Sequence, residues 1–305
     1  MNVSMRQLSV FEAAARLLSY TRAAEELHLS QPAVSMQIRQ LEDQAGLQLF
    51  EKLGRKLHLT EAGRELFQYS RSILHDLHEA EEVMEALKGL NTGKLNIGVA
   101  STVNYFAPRL LAAFSQRYPG ISLSLEANNR ENLVHMLNAN EKDLVLMGRP
   151  PQQMDLESEP FLENPLVVIA PPEHPLAKKR SISLQRLAEE TFVMREAGSG
   201  TRAAMERFFN EQGVTLKTGM QMTRNEAIKQ AVRAGLGLSI VSIHSIELEL
   251  ETQRLVVLDV DGLPIKRRWF LVYRHGKRLS PAAGAFKDFV LAEAGNLLSL
   301  PETGN

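Results

Sequence analysis

Six residues in one short stretch carry the side chains that a nucleic-acid groove calls for: Ser30, Gln31, Pro32, Ser35, Met36 and Arg39. Hydroxyl and amide groups contact base edges, and arginine pairs with phosphate. No acid stands between residues 27 and 41 to repel a backbone. Val34, Ile38, Leu41 and Ala45 recur at 3.6-residue spacing and turn inward, leaving Gln31, Ser35, Met36 and Arg39 on the opposite face of a helix. Ser30 offers a hydroxyl to an unpaired amide at the helix start, and Pro32 fits the first turn, where amides lack intrahelical partners. Ahead of it, Ala23, Ala24 and Leu27 share one face of a shorter helix, and the two alanines permit the close approach that a helix-turn-helix requires. An ordinary helical hairpin whose polar residues meet only water has the same pattern, so the flanking segments have to decide.

Those segments favour a DNA reader. Met5 to Leu18 places Leu8, Phe11, Ala15 and Leu18 on one stripe that would close a three-helix core. Leu49 to Leu59 alternates apolar and polar residues about Gly54 and reads as a hairpin with a basic tip. A lone charged turn would be a solvated loop; behind a helix-turn-helix, this wing brings Lys52, Arg55 and Lys56 to phosphates or the minor groove. Thr60-Glu61 then starts a helix that no proline interrupts before about Leu87. Leu66, Ser70, Ile73, Leu77, Ala80, Met84 and Leu87 alternate steps of four and three, a seam that seeks a second helix over a length of ~40 Å. A homodimer through residues 61–88 follows. His75 and His78, with Glu79 and Glu82, are read as solvated, and no metal site is assigned.

A second cluster, Arg195 to Arg202, could bind an anion. Gly198 and Gly200 flank Ser199 at a helix start, so backbone amides, the Ser199 and Thr201 hydroxyls and the Arg202 guanidinium can converge, with Arg195 a further candidate. A glycine-containing helix cap without a ligand remains the alternative. The motif is not a Walker loop, because lysine is absent and the glycine spacing differs. Upstream, Gly89 to Gly93 punctuates the chain as a hinge, and strands then alternate with helices, the pattern of a parallel sheet. Two α/β lobes are expected, about 93–164 with 268–300, and about 165–267, the chain crossing near 160–166 and 264–270. Ser101, Thr102, Asn128 and Asn129 fall at strand carboxyl ends, where such sheets bind ligands. Arg149 joins them or forms a surface salt bridge.

Composition sets the limits. The 305 residues are 44% hydrophobic and 23% charged, with a net charge of -1, as in an ordinary globular protein of two or three domains. The total charge argues for no nucleic-acid partner, and residues 1–60 hold seven Arg and Lys against six acids. What matters is placement: Arg39, Lys52, Arg55 and Lys56 lie in or after the second helix, away from Glu12, Glu25 and Glu26. Without cysteine there is no disulfide or thiolate chemistry. No signal peptide or apolar run of about 18 residues is seen, so a cytoplasmic location without a membrane partner is expected. An enzyme with an accessory helical module is disfavoured, since no G-x-S-x-G, H-E-x-x-H or post-strand G-x-G-x-x-G occurs and no catalytic residue can be named.

The stretches Phe11-Glu12-Ala13-Ala14, Thr21 to Leu27, Leu29 to Ser35, Ile38 to Glu42, Gly46 to Phe50 and Leu59 to Gly63 together resemble the LysR-type transcriptional regulators, and the likeness runs over nearly the whole chain. Lys52 stands where the family usually has arginine, keeping the charge without the planar fork, and Met36 where many relatives place a cation. The resemblance implies an N-terminal winged helix-turn-helix (1–60), a long dimerisation helix (61–88) and a two-lobed, periplasmic-binding-protein-like effector domain (89–305). It also implies an activator that works as a homotetramer on a near-palindromic promoter site and contacts RNA polymerase. Asn128 to Glu131, Leu146 to Pro151 and Arg195 to Arg202 are similar to the subgroup that regulates Calvin-cycle carbon-fixation operons. For that subgroup the effector is NADPH or a phosphorylated sugar or acid, and no bound cofactor is expected; the alternative is a regulator of another metabolic operon with a carboxylate effector.

Overall fold

Hydroxyl side chains set the starts of the first helices. Ser4 accepts from the Gln7 amide while the Gln7 side chain accepts from the Ser4 amide, and this reciprocal box opens α1 (Met5–Leu17). Ser19 caps α2 (Tyr20–Glu26) through the Arg22 amide, and Ser30 caps α3 (Gln31–Ala45) through the Ala33 amide. At its far end α3 stops on Gly46, whose φ of 67° suits a residue without a Cβ. Strands β1 (Phe50–Leu53) and β2 (Lys56–Leu59) pair antiparallel. The Glu42 carboxylate on α3 accepts from the Leu49 and Phe50 amides at 2.8 and 3.2 Å, tying the wing to that helix. Phe11, Ala23, Ala24, Val34, Ile38 and Leu41 fill the core beneath, and Phe50 meets the rings of Phe11 and Tyr20 edge-on at 5.6 and 5.4 Å. Each fully buried large apolar side chain contributes roughly 1.5–3 kcal/mol.

Thr60 opens α4 (Glu61–Leu87): its Oγ1 accepts from the Gly63 amide at 3.0 Å and donates to the Gln48 carbonyl at 2.7 Å. Two sequence expectations change here. Leu18 is not in the core stripe; it is the left-handed C-cap of α1, 45% exposed, because the chain already turns there toward α2. Ser70, expected on the outward seam of α4, is fully buried, and Tyr69 takes its place one residue earlier. Tyr69, Ile73, Leu77, Ala80 and Met84 form the exposed stripe, since steps of three and four keep residues on one face.

The computed structural model describes residues 3–53, 56–87 and 93–298. Gly54 and Arg55 at the wing tip, residues 89–92 of the expected hinge and the Leu87 side chain lie outside the described residues. Two compact units divide the chain: Met1–Leu87 with Asn138–Glu141, and Lys88–Leu137 with Lys142–Asn305.

The second unit has two lobes built alike. In the first, β3 (Gly93–Ala100), α5 (Ala107–Arg117), β4 (Ile121–Asn128), α6 (Arg130–Asn138), β5 (Leu144–Met147) and β6 (Leu156–Glu163) follow in order. The second lobe runs β7 (Leu166–Ala170), α7 (Leu184–Ala188), β8 (Thr191–Arg195), α8 (Gly200–Glu211), β9 (Lys217–Met222), α9 (Asn225–Arg233), β10 (Ser239–Ser242), α10 (Glu247–Glu251) and β11 (Val256–Val257). The chain then returns to the first lobe as β12 (Arg268–Arg274) and α11 (Pro281–Leu297). The sheets are mixed rather than parallel throughout. β3 lies parallel between β4 and β5, but β12 runs antiparallel to β5 and β6, because it enters the sheet on the return crossover. Likewise β8 is parallel to β9 and bridges Leu238 in parallel, whereas β7 is antiparallel to β10 and β11.

Strands β6 and β9 escape the sequence pattern for a physical reason. Both are edge strands; β6 carries Pro160 among acids, and β9 is exposed along most of its length, so neither shows a buried alternating face. The first lobe packs Leu95, Ile97, Val99, Phe114, Trp269 and Phe286 between the sheet and helices α5 and α11, with Phe114 edge-on to Phe286 at 5.0 Å. Met205, Phe209, Phe192 and Leu238 close the α8 side of the second lobe.

Candidate functional site

The first candidate face is that of α3. Ser30, Gln31, Pro32, Met36 and Arg39 are exposed and Ser35 is half-buried beside Val34 and Ile38. The Ser30 oxygen accepts the Ala33 amide at 3.3 Å, which leaves its own proton free to be donated outward. Lys52 is exposed on β1, opposite Leu57, and Arg55 is not described. This arrangement sets donors, acceptors, the apolar Pro32 and Met36 and the Arg39 cation on a single helical face, with the wing hydrogen-bonded to it through Glu42.

The second candidate is a cavity of about 1120 Å³ in the cleft between the two lobes. Ser101 and Thr102 reach it from the end of β3, Asn128 and Asn129 from the end of β4, Arg149 from beyond β5, and Arg195, Ser199, Gly200 and Thr201 from the β8–α8 turn. These nine residues, scattered over 101 positions of sequence, meet because the carboxyl ends of β3, β4, β5 and β8 face one crevice. Gly198 and Arg202, expected with them, do not line the cavity. A Cβ on Gly198 would stand 2.7 Å from a Glu131 carboxylate oxygen, the movable end of an exposed side chain, so this glycine faces the start of α6. Arg202 turns away: it donates to the Arg195 carbonyl at 3.1 Å, to Gln221 at 2.6 Å and to Glu206 at 2.6 Å.

Other expected residues have structural duties as well. The Asn129 side chain accepts from the Asn132 amide at the start of α6, and Asn128 donates to Glu126. Arg195 is 4% exposed and forks onto Glu196 at 2.8 and 2.9 Å, donates to Asn225 at 2.6 Å, and reaches Ser101 of the other lobe at 3.3 Å. Its charge is thus neutralised within the protein while its position is fixed. Ser199 caps α8 by accepting from the Thr201 amide, and both are buried, as is Thr102.

Sequence reasoning missed five of the seven cations that line the cleft. Arg130, Arg207, Lys266, Arg267 and Arg268 also line it, against one acid, Glu163. Arg267 leaves the return crossover and donates to the Gly200 carbonyl at 2.9 Å, with its guanidinium 5.9 Å from the Trp269 ring centre. Burial, with Arg207 adding repulsion, pushes its pKa down to about 10, which leaves it charged at neutral pH. The run Lys266-Arg267-Arg268 was legible as three consecutive cations, but nothing local says that they face a cleft.

Behind the cleft the lobes touch again. Tyr105 donates to Glu226 at 2.8 Å, and Arg109 forks onto Glu247 at 2.9 Å. Burial, then the Glu226 acceptor, raises the Tyr105 phenol far above its usual value. Glu226 is held below the ordinary carboxylate value: burial works against this, and hydrogen bonds from Lys229 and Tyr105 prevail. His244 is buried against Phe106 with Nε2 2.8 Å from the Glu163 carbonyl, and burial lowers its pKa. Among the described residues no His, Asp or Glu cluster could hold a metal ion, and no helix is long and apolar enough to cross a membrane.

Comparison with known proteins adds the following. Residues 5–64 match the model of bacterial regulatory helix-turn-helix proteins of the lysR family, and residues 88–295 match the LysR substrate binding domain. A RuBisCO operon transcriptional regulator of Allochromatium vinosum is 70% identical over 297 residues, covering 97% of this chain and 98% of that one. The CcmR regulatory domain of Synechocystis PCC6803, solved in complex with 2-PG, is 44% identical over 67% of this chain and 99% of that one, with a TM-score of 0.65. Full-length CbnR, solved with its target DNA, shares the fold at a TM-score of 0.71 and 22% identity, over 94% of this chain and 99% of that one.

Proposed function

This chain belongs to the LysR family of bacterial transcriptional regulators, and on that premise we propose that it controls a carbon-fixation operon in response to a phosphorylated metabolite bound between its lobes. The observation that carries the reading is the 70% identity, end to end, with a regulator named for the RuBisCO operon. At that similarity the reading helix and the cleft both come from one ancestor's solution. The surplus of cations in the cleft supports an anionic effector, and the 2-PG complex of the CcmR domain supports a small phosphorylated acid such as 2-phosphoglycolate over NADPH or a sugar phosphate.

In this reading residues 1–60 bind DNA, 61–88 pair two chains, and 89–305 bind the effector. Gln31, Ser35 and Met36 meet base edges; Ser30, Pro32, Arg39, Lys52 and Arg55 hold the backbone and groove. The exposed stripe from Tyr69 to Met84 packs on its copy, placing two reading helices on successive turns of a near-palindromic site, and two dimers make the working tetramer. The protein acts in the cytoplasm, contacts RNA polymerase and turns over no ligand. Ser101, Thr102, Arg195, Ser199 and Thr201 hold the effector, with Asn128, Asn129 and Arg149 at the rim. An effector shifts the protein between arrangements only by binding one better than the other, so closing the lobes on it must alter how the dimers bend DNA.

The test is titration of the full chain with 2-phosphoglycolate, NADPH and ribulose bisphosphate by calorimetry, with and without a promoter duplex from the chain's own carbon-fixation operon. Saturable binding of one compound that also changes the duplex's bend is expected. Duplex binding indifferent to all three compounds would refute the effector assignment, and no preference for that duplex over random DNA would refute the operon.

A further inference from the structure

We propose that Arg207 and Arg267, with Lys266 beside them, form a second anion station in the cleft, one that takes a phosphoryl dianion along the side of α8. The inference rests on reading the cleft as the effector site, and it adds a place that the residues at the start of α8 do not supply.

Gly200, Ala203, Ala204 and Arg207 all line the cavity, and their spacing puts them on one face of α8. Arg207 therefore lies two turns, ~10 Å, beyond the helix start. The cavity follows the helix from its capped end to this cation, past two alanines whose small side chains leave the groove open.

The two ends differ in chemistry. At the start of α8, hydroxyls and amides predominate, and the Arg195 guanidinium is already neutralised by Glu196. On the side of α8 that Arg207 and the return crossover line, charge is in excess. No carboxylate forms an ion pair with Arg207, Lys266 or Arg267 among the described residues, and the Arg267 Nε is buried without a hydrogen-bond partner. Among the described residues that guanidinium donates only to the Gly200 carbonyl. Burial and the Arg207 charge both disfavour its cationic form. Such an arrangement is costly, because a buried donor without an acceptor and a neighbouring like charge each lose free energy. A dianion with three acceptor oxygens relieves both at once, and a guanidinium offers it a planar pair of donors. A monocarboxylate brings half the charge and fewer acceptors.

Inorganic phosphate is the probe. The full-length protein is unfolded thermally in about 10 mM phosphate and in chloride of equal ionic strength, too dilute for general exclusion effects to dominate. Phosphate is expected to raise the midpoint by a few degrees over chloride. Arg207→Gln and Arg267→Gln each lose most of that gain, Arg267→Lys recovers part of it, and Arg202→Gln, which lies off the cavity, keeps all of it. An undiminished gain in Arg207→Gln and Arg267→Gln, or no advantage of phosphate over chloride in the wild type, overturns the station. The two readings fail separately. A phosphate gain that depends on Arg207 and Arg267, in a protein that binds no phosphorylated metabolite, removes the effector reading alone; metabolite binding that ignores both substitutions removes the station alone.

Discussion

Arg195 on one lobe and Ser101 on the other are joined by a single hydrogen bond, Nη2 to Oγ at 3.3 Å, across the cleft. Glu196 and Asn225 hold the guanidinium in place, so the bridge stands before any ligand arrives. Lysine cannot reproduce the fork. Arg195→Lys should weaken effector binding about tenfold or more and lower stability by ~1–3 kcal/mol, since buried acceptors are left unpaired. Calorimetry and urea unfolding check this, and wild-type values in both would show the bridge to be idle.

Ser35 is the half-buried hydroxyl on the proposed DNA-contacting face of α3, beside the core residues Val34 and Ile38. Ser35→Ala is expected to cost ~1–3 kcal/mol on a specific duplex with little change on random DNA. Fluorescence anisotropy on the two duplexes measures it. An equal loss on both would reassign Ser35 to the phosphates.

Ile73 and Leu77 are each 39% exposed on the α4 stripe. Charges there would be buried unpaired in a paired-helix seam, at several kcal/mol. The double substitution Ile73→Asp, Leu77→Asp should turn dimers and tetramers into monomers in sedimentation experiments while leaving helix content unchanged. Retention of the assembly would place the dimer contact elsewhere.

Gly63, in the first turn of α4, admits no side chain: a Cβ there would stand 2.0 Å from the Leu49 carbonyl oxygen. Alanine must displace the loop that Thr60 ties to Gln48, at a cost of about 2 kcal/mol or more. Gly63→Ala should lower the urea midpoint and weaken DNA binding together, and a stability equal to wild type would contradict this packing.

His244 gives a pH dependence with a definite sign. Burial lowers its folded pKa, opposed in part by the Glu163 carbonyl and Glu247, so the unfolded chain binds the proton more readily. Its contribution is complete above the unfolded value of about 6.5 and is lost as pH falls through the folded pKa. His244→Gln removes that titration, and its urea midpoint should fall less than that of the wild type between about pH 7.5 and pH 5.5. Identical slopes would exclude His244 as the source.

The sequence by itself determined whatever local physics controls. The caps at Ser30 and Thr60, helical spacing in α3 and α4 and the alternation of the wing all rest on residues a few positions apart, and the folded chain has them at or near the expected places. The start of α8 was legible for the same reason, since Ser199 caps it through its own neighbour. Tertiary structure decided the rest. Edge strands β6 and β9 gain their state from pairing partners, not from a hydrophobic face. The direction of the Arg202 side chain depends on Gln221 and on the carbonyl of Arg195, and no spacing rule reports it. Above all, Arg130, Arg207 and Arg267 become one charged cleft only because two crossovers bring the lobes face to face. Charge acts through space, so its chemistry was settled by the fold, whereas helix caps act along the chain and could be read from it.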